Sequence, residues 1–175
     1  MGILNLKNKT AYKYIKKQPK NTGNVENKIS NKIQTVGIVA EADLFKTYDF
    51  TKRLSEDLNI DKNKINVILF DYEKAENAIG NYDFFSEKSF GMYGKINEES
   101  IKNFVNTSFD LLINYCAEET IYSQVIVCKS KAKLKASFEN KYAGFYNLSI
   151  NISGNKIDTF NKEIIKYLQI LNLLK

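Results

Sequence analysis

Apolar residues run along the chain in two rhythms, and the switches between them predict alternating strands and helices. Mostly apolar runs occupy Thr35–Ala40, Ile65–Phe70 and Phe109–Tyr115, interrupted at Asn66, Asp110 and Asn114. Their length and β-branching predict strands buried on both faces. Leu134–Phe138 adds a strand, and Leu148–Ile152 alternates apolar with polar positions. Between these runs the period lengthens. Leu44, Tyr48, Thr51, Leu54 and Leu58 recur at helical spacing, with Asp43 placed to cap the start and Asn59 the end. Asn97, Glu98 and Glu99 open another helix, because acids in a first turn complement its dipole. Further helices are expected from about Glu118 to Lys131 and from Asp158. In the last, Phe160, Ile164, Leu168 and Leu171, with Tyr167, Ile170 and Leu174, form an arc broad enough to require deep packing.

This alternation predicts an α/β fold, a three-layer Rossmann-like sandwich around a mostly parallel sheet of about five strands. One domain is expected over residues 35–175, preceded by an N-terminal extension over residues 1–34. The extension reads as a short helix over residues 3–17. At about 100° per residue, Leu4, Ala11 and Ile15 share a face with Tyr12 at its edge, while Lys9, Lys13, Lys16 and Lys17 lie opposite. Pro19 and the run Asn21-Thr22-Gly23-Asn24 end it and begin a polar linker reaching about Gln34.

Charge singles out that extension. Residues 1–34 hold eight lysines (7, 9, 13, 16, 17, 20, 28 and 32) against the single acid Glu26, a surplus of +7. The remaining 18 basic and 19 acidic residues leave the domain at −1. A near-neutral domain with a cationic leader points to an anionic partner. Lys7, Lys9, Lys13, Lys16, Lys17 and Lys20 are therefore the candidate binding residues.

Composition excludes a good deal. The chain of 175 residues has no histidine, which removes the commonest general base, the Ser-His and Cys-His nucleophile pairs, and imidazole-dependent zinc sites. Cys116 and Cys128 are too few for a disulfide framework. Polar residues interrupt Ile3, Leu4 and Leu6, so no signal peptide is expected, and no run approaches the roughly 18 apolar residues of a membrane span. The start Met-Gly lacks Ser or Thr at position 6, as myristoylation would need. A reduced, cytoplasmic protein is expected, with no cofactor assigned.

Candidate chemistry is sparse. No G-x-G-x-x-G or Walker A loop follows the first strand, which leads instead into Glu41-Ala42-Asp43. Acids follow three strands, at Glu41 and Asp43, Asp71 and Glu73, and Glu118 and Glu119. Glu41, Asp71 and Glu118 would hold Mg²⁺ if they converged; otherwise each caps or charge-matches the helix that follows it. Tyr82, Phe84, Phe85, Phe90 and Tyr93 fall in a connection of about 26 residues. They either stack on bases or sugars or fold inward to seal the core, the reading preferred for large aromatics. Lys129, Lys131, Lys133 and Lys135 suit an edge strand defended by charge, or a second nucleic-acid contact.

The segments TVGIVAEADLF, KINVILFDYE, FSEKSFGMYGKI, FDLLINYCAEET with SKAKLKASF, and IIKYLQILN resemble an uncharacterised family of small α/β proteins from Bacteroidetes-type bacteria. That resemblance covers nearly the whole chain and implies no catalytic residues. The order of the DLLI strand, a helix and the AKLKASF strand is also similar to one lobe of GT-B glycosyltransferases of the heptosyltransferase type. This likeness implies a sugar-nucleotide fold with length for one lobe. The expected function is a non-enzymatic interaction protein whose lysine-rich arm docks on RNA or a ribonucleoprotein such as the ribosome. Three alternatives stand beside it. They are peripheral binding to the anionic inner membrane surface, a single-lobe relative of sugar-nucleotide transferases or Mg²⁺-dependent phosphoryl-transfer enzyme, and a solvated tail without a specific partner.

Overall fold

A computed structural model describes residues 3–20, 32–71, 82–116, 120–139, 142–152 and 156–174. Six strands form one parallel sheet: β1 (Val36–Glu41), β2 (Ile65–Phe70), β3 (Asp83–Phe85), β4 (Leu111–Asn114), β5 (Leu134–Phe138) and β6 (Leu148–Ile150), in the order β3-β2-β1-β4-β5-β6. This is the strand order of doubly wound nucleotide-binding sheets. Among the described residues the α-helices are α1 (Ile3–Lys17), α2 (Ala42–Thr47), α3 (Phe50–Leu58), α4 (Glu99–Asn106), α5 (Ile121–Lys129) and α6 (Ile157–Ile170).

Two cores lie on either side of the sheet. On one face Phe45 of α2, Phe50, Leu54 and Leu58 of α3, and Phe160, Ile164 and Leu168 of α6 pack against Ile38, Leu69 and Ile113. On the other, Ile101 and Phe104 of α4 and Val125 and Ile126 of α5 pack with Val39, Ile68 and Leu112. Ala11 and Ile15 of α1 belong to this second core and are 0% and 1% exposed. The N-terminal helix is thus packed into the outer layer of the sandwich. The linker expected behind it falls mainly on residues 21–31, outside the described residues; Lys32 is exposed and donates to the Asn172 carbonyl.

Several expectations need correction. The sheet has six strands, because β3 forms inside the segment read as a long connection. Its aromatics mostly turn inward: Phe85 and Phe90 are buried, whereas Tyr93 is not. The helix expected from Leu44 to Leu58 is two helices. Asp49 interrupts it and caps α3 by accepting from the Lys52 N–H, while Asp43 sits inside the first turn of α2 and pairs with Lys46. Asn59 does end α3, in the left-handed conformation. Strand β5 lies between β4 and β6, so Lys133 and Lys135 do not defend an edge. Helix α6 buries one face only and leaves Ile170 77% exposed. Among the described residues, no helix is long and apolar enough to cross a membrane.

One ionic clasp ties the amino ends of three strands. Asp110 Oδ2 accepts from the N–H groups of Gln34 and Thr35 and from the Thr35 hydroxyl, each at 3.0 Å. Its Oδ1 accepts from Lys133 Nζ at 2.7 Å. Burial opposes ionisation of this carboxyl, but the Lys133 ammonium and the Gln34 and Thr35 donors outweigh it and hold its pKa below the usual value. Between the folded and unfolded pKa values the unfolded chain binds more protons, so this contribution is full above about pH 4 and fades as pH falls further. Asp110→Ala leaves part-buried donors without their acceptor and should cost about 1–3 kcal/mol at neutral pH. Urea unfolding checks this, and the difference from the parent should narrow towards about pH 3.

Candidate functional site

Helix α1 is held in one rotation by hydrogen bonds that reach across the sequence. The Tyr122 hydroxyl donates to Asn8 Oδ1 at 2.7 Å. The Tyr93 N–H donates to Thr10 Oγ1 at 3.0 Å, and that hydroxyl donates to the Lys7 carbonyl at 2.8 Å. Lys129 places its ammonium 4.2 Å from the centre of the Tyr14 ring. With Ala11 and Ile15 inward, the lysines have a fixed direction. Lys9, Lys13, Lys16 and Lys17 are exposed on the outer face, and exposed Lys20 follows the helix end. Lys7 is half-buried and donates to the Glu87 carbonyl at 3.3 Å.

The first 20 residues hold six lysines and no acid, and four of the six stand on this outer face. Among the described residues, no carboxylate forms an ion pair with any of the six. Lys9 and Lys13, Lys13 and Lys17, and Lys13 and Lys16 stand three or four positions apart, where like charges repel by about 0.2–0.5 kcal/mol per pair. Only Lys16 and Lys17, in the last turn, gain from the helix dipole. The helix therefore keeps an arrangement that an external anion would relieve.

The second lysine run meets the first. Lys20, Lys133 and Lys135 line one shallow cleft of about 450 Å³ with Phe145. Within it Lys133 is paired with Asp110, and Lys135 Nζ donates to the Val127 carbonyl at 2.7 Å. Lys129 bridges to Tyr14, and Lys131 is exposed.

The carboxyl edge of the sheet is the other place where ligands gather in this topology. After β1 the chain moves to α2 on one face, and after β4 to α5 on the opposite face, which creates a switch point between adjacent strands. Polar groups there are buried and mutually bonded. Asn114 Nδ2 donates to Tyr146 Oη at 2.8 Å, the Cys116 N–H donates to Asn114 Oδ1 at 3.1 Å, and the Tyr146 hydroxyl donates to Gln124 Oε1 at 2.6 Å. The Thr120 hydroxyl reaches Glu41 Oε1 at 3.5 Å. Burial, reinforced by the Glu41 charge, pushes the Cys116 thiol well above its ordinary pKa, and burial raises Cys128 to about 11. Neither thiol is poised as a nucleophile. Of the three acids read as a possible Mg²⁺ set, Glu41 and Asp71 are described, while Glu118 lies outside the described residues, as do Glu73 and Glu119. Among the described residues, no cluster of three acidic or cysteine ligands forms.

Sequence reasoning found the lysines but missed what aims them. Thr10, Asn8, Tyr93 and Tyr122 lie up to 114 positions apart, and no local pattern marks their contact.

Residues 7–171 match a family of unknown function (DUF6913), so the matched region begins inside α1 and includes its lysines from Lys7 onward. No curated protein and no solved structure matches the chain.

Proposed function

We propose that this chain, which belongs to the family of unknown function DUF6913, is a non-enzymatic interaction protein that docks on RNA through the lysine face of α1. A ribonucleoprotein particle such as the ribosome is the favoured setting, in the cytoplasm of a bacterium. The observation that carries this reading is the outward, acid-free array of Lys9, Lys13, Lys16, Lys17 and Lys20 on a helix fixed by its own core contacts. A rigid row of ammonium groups matches a phosphate backbone, and its binding energy derives from counterion release.

The membrane alternative fits less well. A helix lying on a bilayer puts its apolar stripe into lipid. In α1 the described part of that stripe, Ala11 and Ile15, is already buried against α5 and its neighbours. A sugar-nucleotide or Mg²⁺-dependent enzyme is favoured only by the strand order. Its switch point carries Glu41 where a phosphate-binding loop would have glycine, and an acid there repels phosphate.

Fluorescence anisotropy with an unstructured oligoribonucleotide, run beside flotation with anionic lipid vesicles, tests the proposal on the full chain. Binding to RNA should weaken about a hundredfold between roughly 50 and 200 mM salt, as about five phosphate contacts require. Vesicles should float without the protein. Flotation with vesicles and no RNA binding would overturn it.

A further inference from the structure

Tyr93 occupies a backbone conformation that its side chain does not favour, in the middle of the turn seated on α1. Its φ and ψ are 57° and 30°, and Gly94 follows at φ 65°. For a bulky residue the left-handed region costs about 1–2 kcal/mol, whereas glycine or asparagine enters it cheaply. The surroundings enforce it. Phe90 and Ile96 pair across the loop, Gly91 and Lys95 are bonded backbone to backbone at 2.7 Å, and Thr10 holds the Tyr93 N–H. At Gly94 an added Cβ would stand 2.9 Å from Val125 Cγ1, so the turn is pressed onto α5.

The strained tyrosine repays none of this through packing. It is 60% exposed and stacks on no described ring. Exposed Leu6 of α1 and exposed Met92 belong to the same two elements. Because the turn is seated over Thr10, Leu6 and Lys13 flank it, one turn before and one after at about 100° per residue. Flat apolar faces set among unpaired ammonium groups fit an anionic polymer that itself has flat apolar faces.

We infer that Tyr93 is a stacking platform for an unpaired base, which makes single-stranded RNA the substrate class of the α1 lysine face. This inference rests on the docking role proposed above and deepens it. Lysines of α1 hold the phosphates while the tyrosine ring takes a base, the combination that single-strand binders use without sequence preference. In a duplex the bases already stack on one another and present no face, so a duplex reaches the lysines only.

Anisotropy with an oligouridylate and with a duplex RNA of equal length separates the two contributions, using the full chain, Tyr93→Asn and Tyr93→Phe. Asparagine removes the ring and suits the left-handed turn; phenylalanine keeps the ring. Thermal melts should show both variants folded. Tyr93→Asn should weaken oligouridylate binding about five- to a hundredfold, with duplex binding and the salt slope unchanged and Tyr93→Phe matching the parent. Equal oligouridylate affinity in Tyr93→Asn and the parent would overturn the platform, leave the docking role standing, and point to a protein contact for the ring. Parallel losses for oligouridylate and duplex, or an equal loss in Tyr93→Phe, would also overturn it. No RNA binding by the parent chain would remove both proposals.

Discussion

Exchanging Lys9, Lys13, Lys16, Lys17 and Lys20 together for glutamine should lower affinity for an unstructured oligoribonucleotide about a thousand- to three-thousandfold near 0.1 M salt. Each lysine that neutralises a phosphate releases most of one condensed counterion, and at this salt concentration each release contributes about four- to fivefold in affinity. Glutamine keeps most of the length and the helix propensity of the side chain while removing the charge. Stability should hardly change. All five ammonium groups are exposed, and among the described residues none pairs with a carboxylate. A loss of binding in a chain with an unaltered melting temperature thus reports on the surface. Retained affinity would show that the contact lies elsewhere.

Deleting residues 1–20 should have a different consequence, a loss of about 3–6 kcal/mol of stability. Ile15 is fully buried, and such a side chain contributes about 1.5–3 kcal/mol. Its removal also uncovers parts of Val125 and the ring of Tyr122, whose hydroxyl loses Asn8 as its acceptor. The turn at Tyr93 loses Thr10, and each such hydrogen bond adds about 1 kcal/mol. For a domain of this size the melting temperature should fall by about 10–20 °C, and the free energy lost is a large part of the roughly 5–15 kcal/mol that typical domains possess. Calorimetry or a thermal melt decides the matter. An unchanged melting temperature would mean that α1 is a separable arm. The same reasoning disqualifies truncation as a test of RNA binding, since it removes the lysines and part of the second core together.

How much of this was legible in the sequence depended on how local each signal was. Val36–Glu41 and Ile65–Phe70 are buried almost throughout, and nearly continuous apolar runs announce such strands directly. Strand β3 did not announce itself. It has three residues, Asp83 is exposed, and its place is set by pairing with Ile68–Phe70. The break between α2 and α3 was hidden because Leu44, Tyr48 and Thr51 continue the helical spacing straight through it, although Asp49 is a capping residue. For α1 the charge was plain and the docking was not. Its buried stripe, as described, amounts to Thr10, Ala11 and Ile15, too small a signal to distinguish a core helix from a surface one. Its anchors, Tyr93 and Tyr122, come from remote segments that only the folded chain brings to it. The candidate site was legible as a set of charges and illegible as a surface with a direction.

The salt dependence of RNA binding, measured side by side for the parent chain and the five-glutamine variant, tests the docking role most directly. The parent should show a slope of log K against log salt of about −3 to −4, and the variant a slope of about −1 or shallower. Parallel slopes in the two proteins would contradict it, because the phosphates would then be neutralised by residues other than the lysines that α1 turns outward.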